Sequence, residues 1–312
     1  MWLILALTAL LFWSGSDLFS KIGSKPSDTY SHWKMVMAVG LVMGIHAIIE
    51  IATGTPISFE AVLYYLPASS MYILSMIFGY VTLRYIELSV SSPICNSSGA
   101  LAAILCFLVL GQTIDGLSTV GVVLVCAGVL LLGISEYTEN EKARAARQSG
   151  ANVKYSKSVL AILLPILYCV IDALGTFFDS IILDEENTFM PNVFHYLPED
   201  TANVAYELTF LFMAVVAFIY VVIIRKQKLT IKAEGFKGLG AVCETAGQFA
   251  YIYAIAANPV GAAPVISAYC AASVLWSRIF LKEKLSWKHY ASIAVVFAGI
   301  IVLGVAEGLS EA

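Results

Sequence analysis

The second half of this chain repeats the first. A shift of 171 residues brings Tyr80, Pro93, Gly128 and Gly133 onto Tyr251, Pro264, Gly299 and Gly304, and keeps Phe78 with Phe249, Leu110 with Leu281 and Ala127 with Ala298. A shift of 155 brings Trp13 and Asp17 onto Tyr168 and Asp172. The repeated units are almost wholly apolar, so the copies read as bundles of helices that satisfy their own backbone hydrogen bonds inside a bilayer. Internal duplication among membrane helices points toward transporters.

With 59% hydrophobic and 13% charged residues in 312, the composition lies outside the range of soluble domains. Ten apolar runs are long enough to cross a hydrocarbon core of about 30 Å. They cover 2–21, 33–53, 61–85, 92–110, 117–135, 158–183, 203–224, 236–257, 261–281 and 289–306. The expected fold is an all-α integral membrane protein of ten transmembrane helices, arranged as two inverted five-helix repeats. These are residues 1–135 and 158–312, joined by a cytoplasmic linker at 136–157, read as a solvated tether. The first run is not a cleaved signal peptide, because it lacks a basic leader, carries Asp17 and matches 157–176. The six cysteines lie in apolar runs without close pairs, which suits packing rather than a disulfide framework or a metal site. No metal and no cofactor is expected.

Charge placement sets the topology. If the runs cross alternately, all 18 Lys and Arg fall on one face, from Lys21, Lys25 and Lys34 to Lys282, Lys284 and Lys288. The opposite face carries Glu50, Glu60, Asp115, Asp184, Glu185, Glu186, Glu199 and Asp200 and no basic residue. Basic residues mark the cytoplasmic side. Both termini are therefore expected outside the cytoplasm, in a bacterial inner (cell) membrane. Equivalent turns carry opposite bias, since Gly111–Gly116 has no basic residue and Lys282–Lys288 has three. Five spans per copy, an odd number, require the copies to be inverted.

Each copy ends in a proline-led helix, a short polar turn and a glycine-rich helix. The segments are Phe12-Trp13-Ser14-Gly15, Ser92-Pro93 through Gly111, Gly121–Gly133, and Ala262-Ala263-Pro264 through Leu281-Lys282-Glu283-Lys284 to Gly299–Gly304. In these the chain resembles the drug/metabolite transporter superfamily, EamA type. It departs from the pattern at Gly111-Gln112, where the family often has an acidic residue as at Glu283. The resemblance implies a basket of ten helices, with the fifth and tenth at the back and a central cavity walled mainly by helices 1, 3, 4, 6, 8 and 9.

Ionisable residues in mid-span are candidates for function because hydrocarbon penalises them. Asp17, Asp172, Asp179 and Glu244 stand out, and no Lys or Arg lies at their depth. Asp172 and Asp179, two turns apart, share a side of the sixth span. Glu244, Gln248 and Tyr251 form a polar stripe on the eighth, and Tyr65, Ser69, Tyr72 and Met76 one on the third. Asn96 and Ser267 take equivalent places after Pro93 and Pro264. The candidate substrate-binding set is Trp13, Asp17, Tyr72, Asn96, Tyr168, Asp172, Glu244, Gln248, Tyr251, Ser267 and Tyr269, and the proton-coupling candidates are Asp172, Asp179 and Glu244.

Plainer readings compete with these. Asp17 can bond a neighbouring hydroxyl or reach toward Lys21. Glu207 reads as interfacial, His46 as a packing histidine with a proton relay as the alternative, and Trp276 as packing or a sixth cage ring. Gly121, Gly128, Gly133, Gly299 and Gly304 read as scaffold that lets helices approach. The His195-to-Asp200 stretch has an acyltransferase-like spacing without a partner motif and is set aside.

The expected partners are a small-molecule substrate and the lipid bilayer, with protons as the candidate coupling ion and no nucleic acid. The leading function is a secondary active transporter of a cationic or amine-bearing metabolite, working by alternating access. The alternative is an exporter of amino acids, neutral metabolites or drugs, in which the acids serve proton coupling only. An intramembrane enzyme finds no support, since neither H-E-x-x-H nor G-x-S-x-G occurs.

Overall fold

The computed structural model describes residues 1–25, 27–86, 88–137 and 160–310. The expected linker at 136–157 lies outside the described residues beyond its first two positions. Among the described residues every regular element is helical. The first copy holds α1 (Trp2–Gly23), α2 (Ser31–Thr53), α3 (Phe59–Tyr85), α4 (Leu88–Cys95), α5 (Ser98–Leu110) and α6 (Gly116–Tyr137). The second holds α7 (Leu160–Ile182), α8 (Glu199–Phe218, prolonged by a π-helical turn at Ile219–Ile224), α9 (Ile231–Ala257), α10 (Pro259–Ser267), α11 (Tyr269–Phe280) and α12 (Trp287–Ser310).

The repeat holds in three dimensions. Adding 171 to the first residues of α4, α5 and α6 gives Pro259, Tyr269 and Trp287, the first residues of α10, α11 and α12. Packing partners swap in the same way. α1 packs chiefly on α9 while α3 packs on α7, and α4 packs on α11 while α5 packs on α10. The pairs α2–α8 and α6–α12 map onto themselves. Even the left-handed turn after α5 recurs, at Gly111 (φ 68°) and at Lys282 (φ 59°).

Nine spans among the described residues are long and apolar enough to cross a membrane, counting α4–α5 and α10–α11 as one each. The tenth is α9, equally long but made less apolar by Glu234, Lys237, Glu244 and Gln248. Outward-facing Leu41, Ile45, Ile48 and Ile49 on α2 typify the surface offered to lipid. Small residues set the closest approaches, where lipid supplies no hydrophobic drive. A Cβ on Gly40 would stand 2.3 Å from the Phe210 carbonyl oxygen, and one on Gly299 2.7 Å from the Val125 nitrogen. Gly121 and Gly128 are equally tight, whereas Gly133 and Gly304 have ordinary space and are not needed for close packing.

One expectation fails. The fourth and ninth spans do not begin at Pro93 and Pro264. Both helices start earlier and break just after the proline, at Asn96–Ser97 and at Ala268. Proline removes one backbone bond and crowds the carbonyl four residues back, so it weakens a helix it does not start. At the first break the Ser97 hydroxyl donates to the Pro93 carbonyl at 3.0 Å. The broken helices cross at Gly99, where a Cβ would lie 2.4 Å from the Ala263 carbonyl oxygen.

At the basic face two lysines are paired. Lys34 meets Asp28 at 2.9 Å and Glu234 at 3.3 Å, and Lys237 meets Glu234 at 2.6 Å, tying the α1–α2 connection and α2 to α9.

Candidate functional site

A cavity with an empty volume of about 880 Å³, counting its open mouth, lies between α1, α3, α4, α7, α9 and α10. Its wall reaches Ser20, Leu83 and Ser91, each within about a turn of the basic-face end of its helix. Toward the acidic face it ends at Tyr72, Thr176 and Tyr251. All eleven residues named from sequence as substrate-binding candidates border it: Trp13, Asp17, Tyr72, Asn96, Tyr168, Asp172, Glu244, Gln248, Tyr251, Ser267 and Tyr269.

The two repeat-related aspartates are held by serine hydroxyls. Ser92 and Ser273 donate to Asp17 Oδ2 at 2.6 and 2.9 Å. Ser75 donates to Asp172 Oδ1 at 3.1 Å and Ser98 to Oδ2 at 2.8 Å. Both acids are thus fixed to the broken fourth span, Asp17 through α4 and Asp172 through α5, so their geometry depends on that span's position. Gln248 is 3% exposed, and its Nε2 has no hydrogen-bond partner. A buried amide donor left unpaired costs about 1–3 kcal/mol, which a ligand acceptor would recover.

The rings are seated on glycines of facing helices. A Cβ on Gly247 would fall 2.3 Å from Trp13 Cδ1, one on Gly79 2.9 Å from the Tyr168 ring, and one on Gly175 2.8 Å from the Tyr72 ring. Trp13 also meets Tyr251 at 5.1 Å between centroids and Tyr269 edge-on at 5.9 Å. Its Nε1 donates to the Glu244 carbonyl at 3.2 Å. Three aromatic rings therefore cluster beside the segment that carries Glu244. Trp276 does not join them; it donates to Ser14 Oγ at 3.0 Å and packs on Phe280.

Asp179 lies behind the cavity rather than in its wall, with no exposed surface. Tyr65 donates to its Oδ1 at 2.6 Å, and Tyr72 and Tyr251 donate to Oδ2 at 2.8 and 3.0 Å. The hydroxyls of Tyr72 and Tyr251 also adjoin each other, and Thr176 Oγ1 lies 3.1 Å from the Tyr72 oxygen, to which it can donate. One carboxylate joins α3, α7 and α9 into a closed layer between the cavity and the acidic face.

Glu207 corrects the sequence reading. It is not interfacial but wholly buried, with both carboxylate oxygens 2.9 Å from His46 Nδ1. An acid eight residues into a span leaves the interface when a partner on the facing helix can hold its charge. The His195–Asp200 stretch is packing. His195 stacks on Tyr64 at 4.1 Å, and Asp200 accepts from the Tyr253 hydroxyl. Among the described residues no cluster of His, Cys, Asp and Glu could hold a metal ion, and the six cysteines are unpaired.

The hydroxyl partner expected for Asp17 is present, as Ser92 and Ser273, whereas sequence reasoning missed the serines on Asp172 and also Tyr80, which borders the cavity with a buried, unpartnered hydroxyl. The signal for Tyr80 was available, since the shift of 171 places it on Tyr251.

No protein of curated function matches the sequence. A crystal structure of another protein superposes over 100% of this chain and 99% of its own, with a TM-score of 0.63 and 16% sequence identity, a likeness that speaks for the fold. Residues 1–134 and 159–305 match one family model in two segments that span nearly everything on either side of the central connection, so the chain belongs to the EamA-like transporter family.

Proposed function

We propose that this membrane transporter of small metabolites carries an organic cation or amine-bearing compound by alternating access, with protons as the coupling ion. The observation that carries the reading is one cavity bordered by Asp17, Asp172 and Glu244 and by the rings of Trp13, Tyr168, Tyr251 and Tyr269, with no Lys or Arg in its wall. A ring face attracts an ammonium by about 0.5–2 kcal/mol. Two serine hydroxyls each already bond Asp17 and Asp172 while Ser16 alone bonds Glu244, which leaves Glu244 the most acceptor capacity to meet the ligand. The cavity reaches toward the basic face and is closed toward the acidic one, as expected of one end state of the cycle.

The two five-helix repeats, 1–135 and 158–312, are the moving halves in this reading, and 136–157 is their cytoplasmic tether. The basic face is cytoplasmic, both termini lie outside, and the membrane is a bacterial inner membrane. A reporter fused after Ala312 would be inactive in a form that works only in the cytoplasm.

The test is uptake of labelled amines into proteoliposomes, with and without a pH gradient. Glu244→Gln should abolish uptake, and Asp172→Asn should reduce it or its response to the gradient. Full, coupled transport in both variants would overturn the assignment. A second reading, a zwitterionic or neutral metabolite with the acids serving proton coupling, is favoured by the free Gln248 amide, which offers a donor to a carboxylate or carbonyl. Quaternary amines should compete under the first reading and not under the second.

A further inference from the structure

The membrane interior holds a second group of ionisable side chains that does not border the cavity. His46 lies seven residues before the acidic-face end of α2, and Glu207 eight residues after the acidic-face start of α8. Both are therefore about 10–12 Å below that face at 1.5 Å per residue. His46 Nδ1 is 2.9 Å from each Glu207 oxygen, and its Nε2 is 3.7 Å from Glu50 Oε1. Glu207 is 0% exposed, while His46 and Glu50 retain 29% and 28%.

We propose that His46 and Glu207 form a proton-binding site separate from the central cavity, loaded from the acidic face through Glu50. Nδ1 can approach both Glu207 oxygens only with a proton between them. That bond exists with the ring neutral, leaving the pair anionic, or with the ring protonated, leaving it neutral. A buried ion without a counter-charge is costly at this depth, which favours taking up the second proton. When it arrives, Nε2 becomes a donor that faces Glu50, so both N–H groups have carboxylate acceptors. His46 and Glu50 both meet the surface, and Glu50 lies one turn nearer the acidic face, which makes it the route on and off.

The neighbouring titratable groups are a carboxylate on α2, carboxylates and a phenol on α8, and phenols on α9 and α3. On α2 the ring faces Glu50. α8 adds Tyr206 beside Glu207, and Glu199 and Asp200 in its first turn. On α9 stands Tyr253, whose hydroxyl is bound to Asp200. On α3 the nearest titratable groups are Tyr65 and Tyr72, whose rings meet Tyr206 at 6.4 and 5.9 Å. The lysines of α2 and α9 lie at the opposite ends of those helices.

The pair also touches the cavity wall from behind. Phe249 packs edge-on against the His46 ring at 5.7 Å and is the neighbour of Gln248 in sequence, and Tyr206 borders the cavity directly. Coupling of this proton to transport rests on the function proposed above; its binding does not.

The test uses full-length protein in nanodiscs with ring-¹⁵N histidine, the His46 signals being those missing from His46→Gln. The expected result is a His46 ring that passes between two protonation states as pH is varied. That passage should be altered in Glu207→Gln and unchanged in Glu244→Gln and Asp172→Asn. Glu50→Gln, which leaves the buried pair intact, should also alter it and serves if Glu207→Gln does not fold. A His46 signal that never titrates, or one indifferent to both glutamate variants, would overturn the proposal. With the native cysteines replaced, Glu50→Cys should react with a membrane-impermeant thiol reagent from the acidic face only. Reaction from the basic face alone would overturn the loading route. Failed amine transport with an intact His46 titration would instead refute the function proposed above.

Discussion

Replacing Asp179 should unlock the acidic side of the cavity. Its carboxylate accepts three tyrosine hydroxyls, from Tyr65, Tyr72 and Tyr251. A hydrogen bond to a charged group contributes about 1.5–3 kcal/mol, and a neutral one about 1. In Asp179→Asn the hydroxyls can turn to accept from the new amide, so three neutral bonds replace three charged ones, a loss of about 0.5–2 kcal/mol each. In Asp179→Leu nothing replaces them. Tyr72, Tyr251 and Thr176 can still bond one another, but Tyr65 is left orphaned, so the loss is larger. Since 1.4 kcal/mol is tenfold in an equilibrium, the closed layer should open at least about tenfold more often in the first variant, and more often still in the second. In a cysteine-free background, Ser267→Cys reports on the cavity, and a membrane-impermeant thiol reagent applied from the acidic face reads the open fraction as a labelling rate. The rate should rise in the order wild type, Asn, Leu. A folded Asp179→Leu protein that labels at the wild-type rate would refute the idea that this layer is what closes the cavity.

Two further outcomes are expected. Gly247→Ala pushes a Cβ to 2.3 Å from the Trp13 indole, so the ring must leave its seat at a cost of about 1–3 kcal/mol. The melting temperature should fall, and the part of the emission removed by Trp13→Phe should shift to the red; no change in that part would show that the seat is loose. Asp115 caps α6 on the acidic face, with Oδ1 accepting from the backbone N–H of Leu117 and Ser118 at 2.9 and 3.0 Å. Hydrogen bonds from Ser118 hold its carboxyl below the usual carboxylate range. A lowered value means stability that is present above the ordinary carboxylate pKa and lost as pH falls through the lowered one. The difference in melting temperature between wild type and Asp115→Ala should therefore be constant near neutrality and shrink in acid. A difference that grows in acid would reverse the sign.

The fold was legible because the signals for it are redundant. Ten apolar runs, a charge bias and a repeat register of 171 all give the same helices, and the register even fixes the first residues of α10, α11 and α12. The cavity wall was legible because mid-span polar residues at helical spacing have few other places to go, so Trp13, Asp172, Glu244 and Gln248 reach one hollow. What periodicity omits is which helix faces which. Asp172 and Asp179 share one side of α7, yet the first meets Ser75 and Ser98 in the cavity wall and the second is sealed behind it by tyrosines from α3 and α9. Glu207 looked interfacial because its distance from the helix end is readable and its partner on α2 is not. Which serines hold the aspartates was hidden for the same reason, since a small hydroxyl in a helix is unremarkable until a carboxylate stands opposite.

The repeat also accounts for which side of the cavity is closed. Inversion should give each face the same closing layer, so the equivalents of the acidic-face tyrosines and Asp179 belong near the basic face. With the two shifts, Tyr65 and Tyr72 fall on Phe236 and Cys243, Asp179 falls on Ser24, and Tyr251 falls on Tyr80. Only Tyr80 keeps its hydroxyl, and that hydroxyl is buried without a partner. The scaffold is thus duplicated while the hydrogen-bonded lock exists once. In this structure the acidic side is held shut by that lock, while the cavity reaches Ser20, Leu83 and Ser91 toward the basic side. Glu244 has lost symmetry too, since its counterpart is Ile73. Among the described residues the unpaired groups in the cavity wall are the hydroxyls of Ser20, Tyr80 and Ser91 and the amide of Gln248, and under the function proposed above these are the groups a metabolite would engage to close the basic side.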